Sequence, residues 1–115
     1  MQFINRSVVI IKPKESFVEW VNSLDQKAGF SLTLEQIRSD PLCILIPEFE
    51  NPSEAKAYIK ANYEEIWKWQ LQAFWTDEKA YPSQRPFEKF MEWFDVEFGS
   101  EVIDWVDKEI EKKEM

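Results

Sequence analysis

Ser7-Val8-Val9-Ile10-Ile11-Lys12-Pro13 is the stretch on which the reading of the fold turns. A strand with one wetted face alternates apolar and polar side chains. This run of consecutive β-branched residues does not alternate, so it predicts a strand buried on both faces. Leu42-Cys43-Ile44-Leu45-Ile46, again continuously apolar and again closed by a proline, Pro47, predicts a second strand of the same kind. The residues between the two carry helix signals. Ser16-Phe17-Val18-Glu19 matches a capping box, and Phe17, Trp20, Val21 and Leu24 follow at helical spacing, which predicts an amphipathic helix ending near Asp25. Gly29 is placed to absorb a left-handed residue in the loop beyond. Thr33-Leu34-Glu35-Gln36 repeats the capping pattern and opens a short helix that Pro41 stops. Two buried strands joined through helices pair in parallel by default, with a right-handed connection.

Downstream, Asn51-Pro52-Ser53-Glu54 supplies a cap, a proline at the first helical position and an early carboxylate, opening a long helix that runs to Thr76. At about 100° per residue its apolar side chains cover close to half the circumference, more than one packing partner requires. Asn62 and Gln70 fall within that arc and need hydrogen-bond partners if buried. Ser83 with Pro86 starts another helix, in which Phe87, Phe90, Met91, Phe94 and Phe98 share a face and Gly99 marks the end. Trp93 and Val96 point off that face. The group Val102-Ile103-Asp104-Trp105-Val106 satisfies both the strand and the helix template, and we favour a strand. From about residue 108 onward the chain is a charged tail that frays. The expected architecture is one α/β (or α+β) domain over residues 1–115, in the order β-α-α-β-α-α-β. Its three-stranded, largely parallel sheet packs against four helices.

Composition restricts the chemistry. Six Trp and nine Phe in 115 residues predict an aromatic core. The net charge of −8 is uneven: residues 1–40 carry five basic and five acidic side chains, so the whole acidic excess lies beyond them. That balance disfavours direct binding to nucleic acid or to anionic lipid. No run approaches a membrane span, and the first residues lack the pattern of a signal peptide, so a cytoplasmic location is expected. Cys43 is the single cysteine and lies in an apolar run, where it is expected to pack as a small hydrophobe.

Asn5-Arg6 before the first strand, Lys12-Pro13-Lys14, Ile46-Pro47-Glu48, Trp75-Thr76-Asp77-Glu78 and Trp93-Phe94-Asp95-Val96-Glu97 together give a chain that resembles a group of small bacterial cytosolic proteins without assigned activity. The resemblance implies origin and location and brings no site residues with it.

The absence of histidine removes Ser-His-Asp and Cys-His catalysis in their usual forms and imidazole metal sites. Two isolated glycines cannot build a phosphate-cradling loop or a dinucleotide fingerprint. Carboxylates remain. Glu48 and Glu50 follow the second strand, where ligands bind in a parallel sheet; Asp95 and Glu97 sit at an expected helix end; Asp104 lies on the third strand. If they met, they would suit Mg²⁺ or Ca²⁺, or an acid–base pair. A solvated acidic face explains them more simply. Arg6, Lys12 and Lys14 form either a small anion site or partners for nearby carboxylates, and ion pairing is the commoner outcome.

The aromatics carry the leading expectation. Trp75 lies opposite the main arc of the long helix, Trp93 lies off its own stripe, and Tyr81 sits in the connection between them. Rimmed by Asp77, Glu78 and Glu92, they have the composition of a protein-binding or homodimer surface. The alternative is that these rings close the two helices within the domain. The functional expectation is therefore a non-enzymatic interaction domain, without cofactor, that binds another protein or itself. The alternatives are a carboxylate-based, divalent-metal-dependent enzyme and an acidic decoy for a nucleic-acid-binding protein.

Overall fold

Residues 7–13 form the middle strand of the sheet. In the computed structural model, which describes residues 1–24 and 31–114, the elements are β1 (Gln2–Phe3), β2 (Ser7–Pro13), α1 (Glu15–Ser23), α2 (Leu34–Arg38) and β3 (Leu42–Ile46), followed by α3 (Pro52–Gln72), α4 (Phe87–Trp93), β4 (Phe94–Gly99) and β5 (Ile103–Asp104). A short 3₁₀ turn at Glu78–Ala80 joins α3 to α4. Three strands lie in the order β3-β2-β4, and β1 pairs with β5 in a separate two-stranded ribbon. Every pairing is antiparallel. The fold is α+β, and the expectation of a largely parallel sheet is overturned.

The reason lies at one corner. Arg38, at the end of α2, donates from Nη1 to the Pro13 carbonyl at 2.9 Å, so the helices after β2 bring the chain back to the end where β2 finished. β3 must then run in the opposite sense, and Leu42 pairs with Ile11. The same corner reverses β4: the Lys14 amide donates to the Trp93 carbonyl at 2.8 Å, and Phe94 pairs with Pro13. A crossover that returned to the start of β2 would have given the parallel arrangement.

β2 is not buried on both faces. Ser7, Val9, Ile11 and Pro13 are fully covered, whereas Val8, Ile10 and Lys12 are half-buried. The covered face joins Ile46 and Phe94 to the core, under Phe17 and Val21 of α1, Ala55, Ile59, Trp67 and Leu71 of α3, and Phe90 and Trp93 of α4. On the other face, the flanking strands shelter Val8 and Ile10 enough for apolar residues to be tolerated there, so the run shows no alternation. The cluster is aromatic, as expected: Trp67 has Trp93 and Phe90 at centroid distances of 5.3 and 5.9 Å, and Phe17 meets Phe94 at 5.2 Å.

Several expected boundaries move. α1 begins at Glu15 without a side-chain cap, so the Ser16–Glu19 box does not form. The Thr33–Gln36 box does form. Asn51 caps α3 by accepting from the Ser53 amide, and α3 ends at Gln72, before Thr76. Asn62 donates to the Tyr58 carbonyl one turn back. The helix expected through Phe98 stops at Trp93, and Phe94-Asp95-Val96-Glu97-Phe98 is strand β4. Gly99 therefore ends a strand, and a Cβ there would lie 2.9 Å from Val8 Cγ1. The strand expected over residues 102–106 is the two-residue β5, outside the main sheet. The position of Gly29 lies outside the described residues. Buried Ser7 ties the core to two loops: its Oγ donates to the Ser100 carbonyl at 2.9 Å and accepts from the Phe49 amide at 3.3 Å.

Candidate interaction surface

The aromatic patch expected around Trp75, Asp77, Tyr81 and Trp93 is not an open surface. Trp93 is 8 % exposed and Tyr81 7 %. Trp93 packs against Phe17 and Trp20 as well as Trp67, at centroid distances of 6.0 and 6.2 Å for the first two. The Tyr81 hydroxyl donates to the Trp75 carbonyl at 2.6 Å, and the Trp20 indole donates to the Ala80 carbonyl at 2.9 Å. Burial pushes the Tyr81 phenol above its ordinary pKa, with the Glu78 carboxylate adding to the shift. Trp75 is half-buried. Asp77 is exposed, and its carboxylate caps the 3₁₀ turn by accepting from the Lys79 amide. These rings fasten the connection between α3 and α4 onto α1.

The carboxylates do not gather either. Asp95 accepts from Arg38 at 2.9 Å and lies 3.6 Å from Lys14, whose ammonium also donates to the Met91 carbonyl. The Arg38 hydrogen bond foremost, with Lys14 adding, holds the Asp95 carboxyl below the usual carboxylate range against the opposing effect of desolvation. Glu97 pairs with Lys12 at 3.2 Å. Glu48 and Glu50 are exposed beyond β3, and Asp104 accepts from the Val106 amide. Among the described residues, no group of three or more His, Cys, Asp or Glu is placed to hold a cation. Lys12 and Lys14 are ion-paired, and Arg6 donates to Asn5, so these three do not form an anion site.

Exposed apolar side chains lie elsewhere: Phe3, Ile103, Trp105 and Val106 on and beside the β1–β5 ribbon, and Leu45 and Trp69 along β3, where they line a groove. This strand is an edge of the sheet, and its neighbour on one side only is β2. In an antiparallel ladder every second residue of an edge strand directs its N–H and C=O outward. No other backbone segment among the described residues bonds to that outer side. Leu42 and Ile44 face the helices beside Ile66 and Trp69 of α3, while Cys43 and Leu45 face the opposite side. With Glu65, Lys112 and Lys113 on the rim, these residues line a groove of about 720 Å³. Leu45 is 48 % exposed and Trp69 42 %. Cys43 is exposed rather than packed as a small hydrophobe, because along β3 it alternates with Leu42 and Ile44, which pack against the core, and so lies on the opposite face.

No family model, curated protein or solved structure matches this chain. The surface therefore stands on its geometry alone. A second depression, between α3 and α4, is lined by Lys56, Lys60, Phe87, Glu88 and Met91, and Lys60 lies over the Phe87 ring at 5.7 Å. It exposes no backbone hydrogen-bonding edge, and its mixed charged rim selects no ligand. Among the described residues, no helix is long and apolar enough to cross a membrane.

One sequence signal bears on the β3 groove. The apolar arc read for the long helix is wider than one packing partner requires, and Trp69, with Tyr58 and Phe74, is a part of it left exposed. What the sequence could not show is that Leu42–Ile46 would be an edge strand.

Proposed function

We propose that this protein is an interaction domain, without catalytic activity, that takes up an extended segment of a partner protein along the outer edge of β3. The observation that carries the reading is an unpaired, wholly apolar edge strand lying beside an apolar shelf formed by Ile66 and Trp69. An added strand gains main-chain hydrogen bonds from such an edge, and alternate side chains gain pockets, which is the physics of recognition by strand addition. An edge of this kind is otherwise a liability that proteins blunt with charge or proline. Here proline stands only at the two ends, at Pro41 and Pro47. The exposed Cys43 thiol suits a reducing compartment, and we place the protein in the cytoplasm.

The test is affinity purification from the native host with the wild type, with Leu45→Lys and with Trp69→Gln, each first shown by circular dichroism to be folded. A partner held by the wild type and lost from both variants supports the reading. A partner held equally by all three overturns it.

A further inference from the structure

The charges around the edge say what kind of segment it accepts. β3 is five apolar residues long, and Pro41 and Pro47, which have no N–H to donate, limit any added ladder to about that length, roughly 17 Å. Beyond the prolines stand Asp40 at one end and Glu48 and Glu50 at the other, all exposed, with Glu65 on the α3 side of the groove. Among the described residues none of these four carboxylates has an ion pair.

The chain shows one strand already suited to this neighbour. β2, on the inner side of β3, is an apolar run between Arg6 and Lys12. Lys12 in this strand and Lys14 just beyond it are drawn to Glu97 and Asp95 on the β4 side, so the acidic ends of β3 stay uncompensated. At the outer edge the basic charge comes from Lys112 and Lys113, which lie on the groove rim in a tail that makes no backbone bond to the rest of the chain among the described residues.

A second copy fits badly. In the antiparallel register that pairs all five apolar residues of two β3 strands, Asp40 faces Glu48 and Pro41 faces Pro47. Like charges opposite one another across a strand pair are unfavourable, and each chain adds a net charge of −8.

Resting on the proposal that β3 is a binding edge, we infer that it takes an extended segment of about five residues flanked at both ends by lysine or arginine, and that it rejects a second copy of this chain. The helix-facing residues of that segment are apolar and rest on Ile66 and Trp69. Its basic ends reach Asp40 and Glu48 and displace the tail lysines from the rim.

The test uses the full chain and two synthetic peptides, Lys-Lys-Val-Thr-Ile-Thr-Val-Lys-Lys and the same sequence with glutamate in place of lysine. Binding is read from the alkylation rate of Cys43 by N-ethylmaleimide and from hydrogen exchange of the Leu42–Ile46 amides. The lysine peptide is expected to protect both and to bind about tenfold more tightly than the glutamate peptide, which is 1.4 kcal/mol at 25 °C. The preference should vanish near 1 M salt, where the Debye length falls to about 3 Å. Asp40→Lys combined with Glu48→Lys should reverse it. Equal protection by both peptides overturns the charge inference and leaves the binding edge standing. Protection by neither at millimolar concentration overturns both. Concentration-dependent dimerisation by light scattering, with Cys43 protected in the dimer, overturns the rejection of a second copy.

Discussion

Replacing Trp93 with alanine separates a core ring from a surface ring. The side chain is 8 % exposed and touches three aromatic neighbours, Phe17, Trp20 and Trp67. Removing a buried Trp or Phe down to alanine costs about 3–5 kcal/mol, the sum of lost transfer energy and the cavity left behind. Trp93 lies at the margin of the cluster, where solvent can partly enter the space, so the lower part of that range, about 3–4 kcal/mol, is expected. Against a total stability of roughly 5–15 kcal/mol for a domain, that is a large fraction, and it lowers Tm by roughly 10–20 °C. The measurement is urea unfolding followed by far-UV circular dichroism, with m-values compared so that the change in midpoint reports stability. Trp105→Ala is the control. That ring is 74 % exposed, and its loss should stay within about 0.5 kcal/mol. If Trp93→Ala also falls within about 0.5 kcal/mol of the wild type, the ring is not in the core and the expectation of an aromatic binding patch returns.

Three further outcomes follow from the same geometry. Ser7→Ala leaves the Ser100 carbonyl and the Phe49 amide without their shared hydroxyl, and should cost about 1–3 kcal/mol in urea unfolding; Ser7→Thr, which keeps the oxygen, tests whether the hydrogen bonds rather than the volume matter. Gly99→Ala drives a methyl group to within 2.9 Å of Val8 Cγ1 and should destabilise by about 1–3 kcal/mol, with part of the loss recovered in the Gly99→Ala, Val8→Ala double variant; strictly additive losses would contradict the contact. The Asp95 pKa is depressed in the folded state, so its contribution is present above the unfolded value of about 3.9 and disappears as pH falls through the folded one. Because the side chain is 44 % exposed, the pair is worth at most about 1 kcal/mol, seen as a wild-type advantage over Asp95→Asn at pH 6 that shrinks towards pH 2; an advantage that stays constant over that range would count against the pairing.

Local signals were readable where they were strong and self-contained. The strand over Leu42–Ile46, the capped start of α3 at Asn51 and the Thr33–Gln36 box all form where their residues imply, although that strand is an exposed edge and not buried on both faces. Direction was not readable, because a strand's sense depends on where the preceding helix delivers the chain. That is decided by long-range bonds such as Arg38 to Pro13 and Lys14 to Trp93. The change from helix to strand at Phe94 was hidden by a coincidence of spacing. Phe87, Phe90, Phe94 and Phe98 satisfy a helical period, while Phe94, Val96 and Phe98 equally satisfy an alternating one.

The misplaced binding patch has a related cause. A helical wheel has meaning only inside a helix, and Trp75 lies beyond the end of α3 while Trp93 is the last residue of α4. The angle of Trp75 therefore has no meaning, and the stripe against which Trp93 is set includes Phe94 and Phe98, which belong to strand β4. The groove along β3 is not legible in the sequence, because edge position is a property of the whole sheet; the surplus width of the α3 arc indicates only that some of its apolar side chains, Trp69 among them, stay exposed.

The middle position of β2 also bears on how the chain acquires its fold. β2 is sealed on one side by residues 42–46 and on the other only by residues 94–99. The second pairing closes most of the sequence into one loop, whose entropy is lost before the contacts that repay it have formed. A folding intermediate holding β2 and β3 but not β4 would present two bare apolar edges instead of one. Refolding at high protein concentration should therefore lose yield to aggregation before the β4 pairing closes.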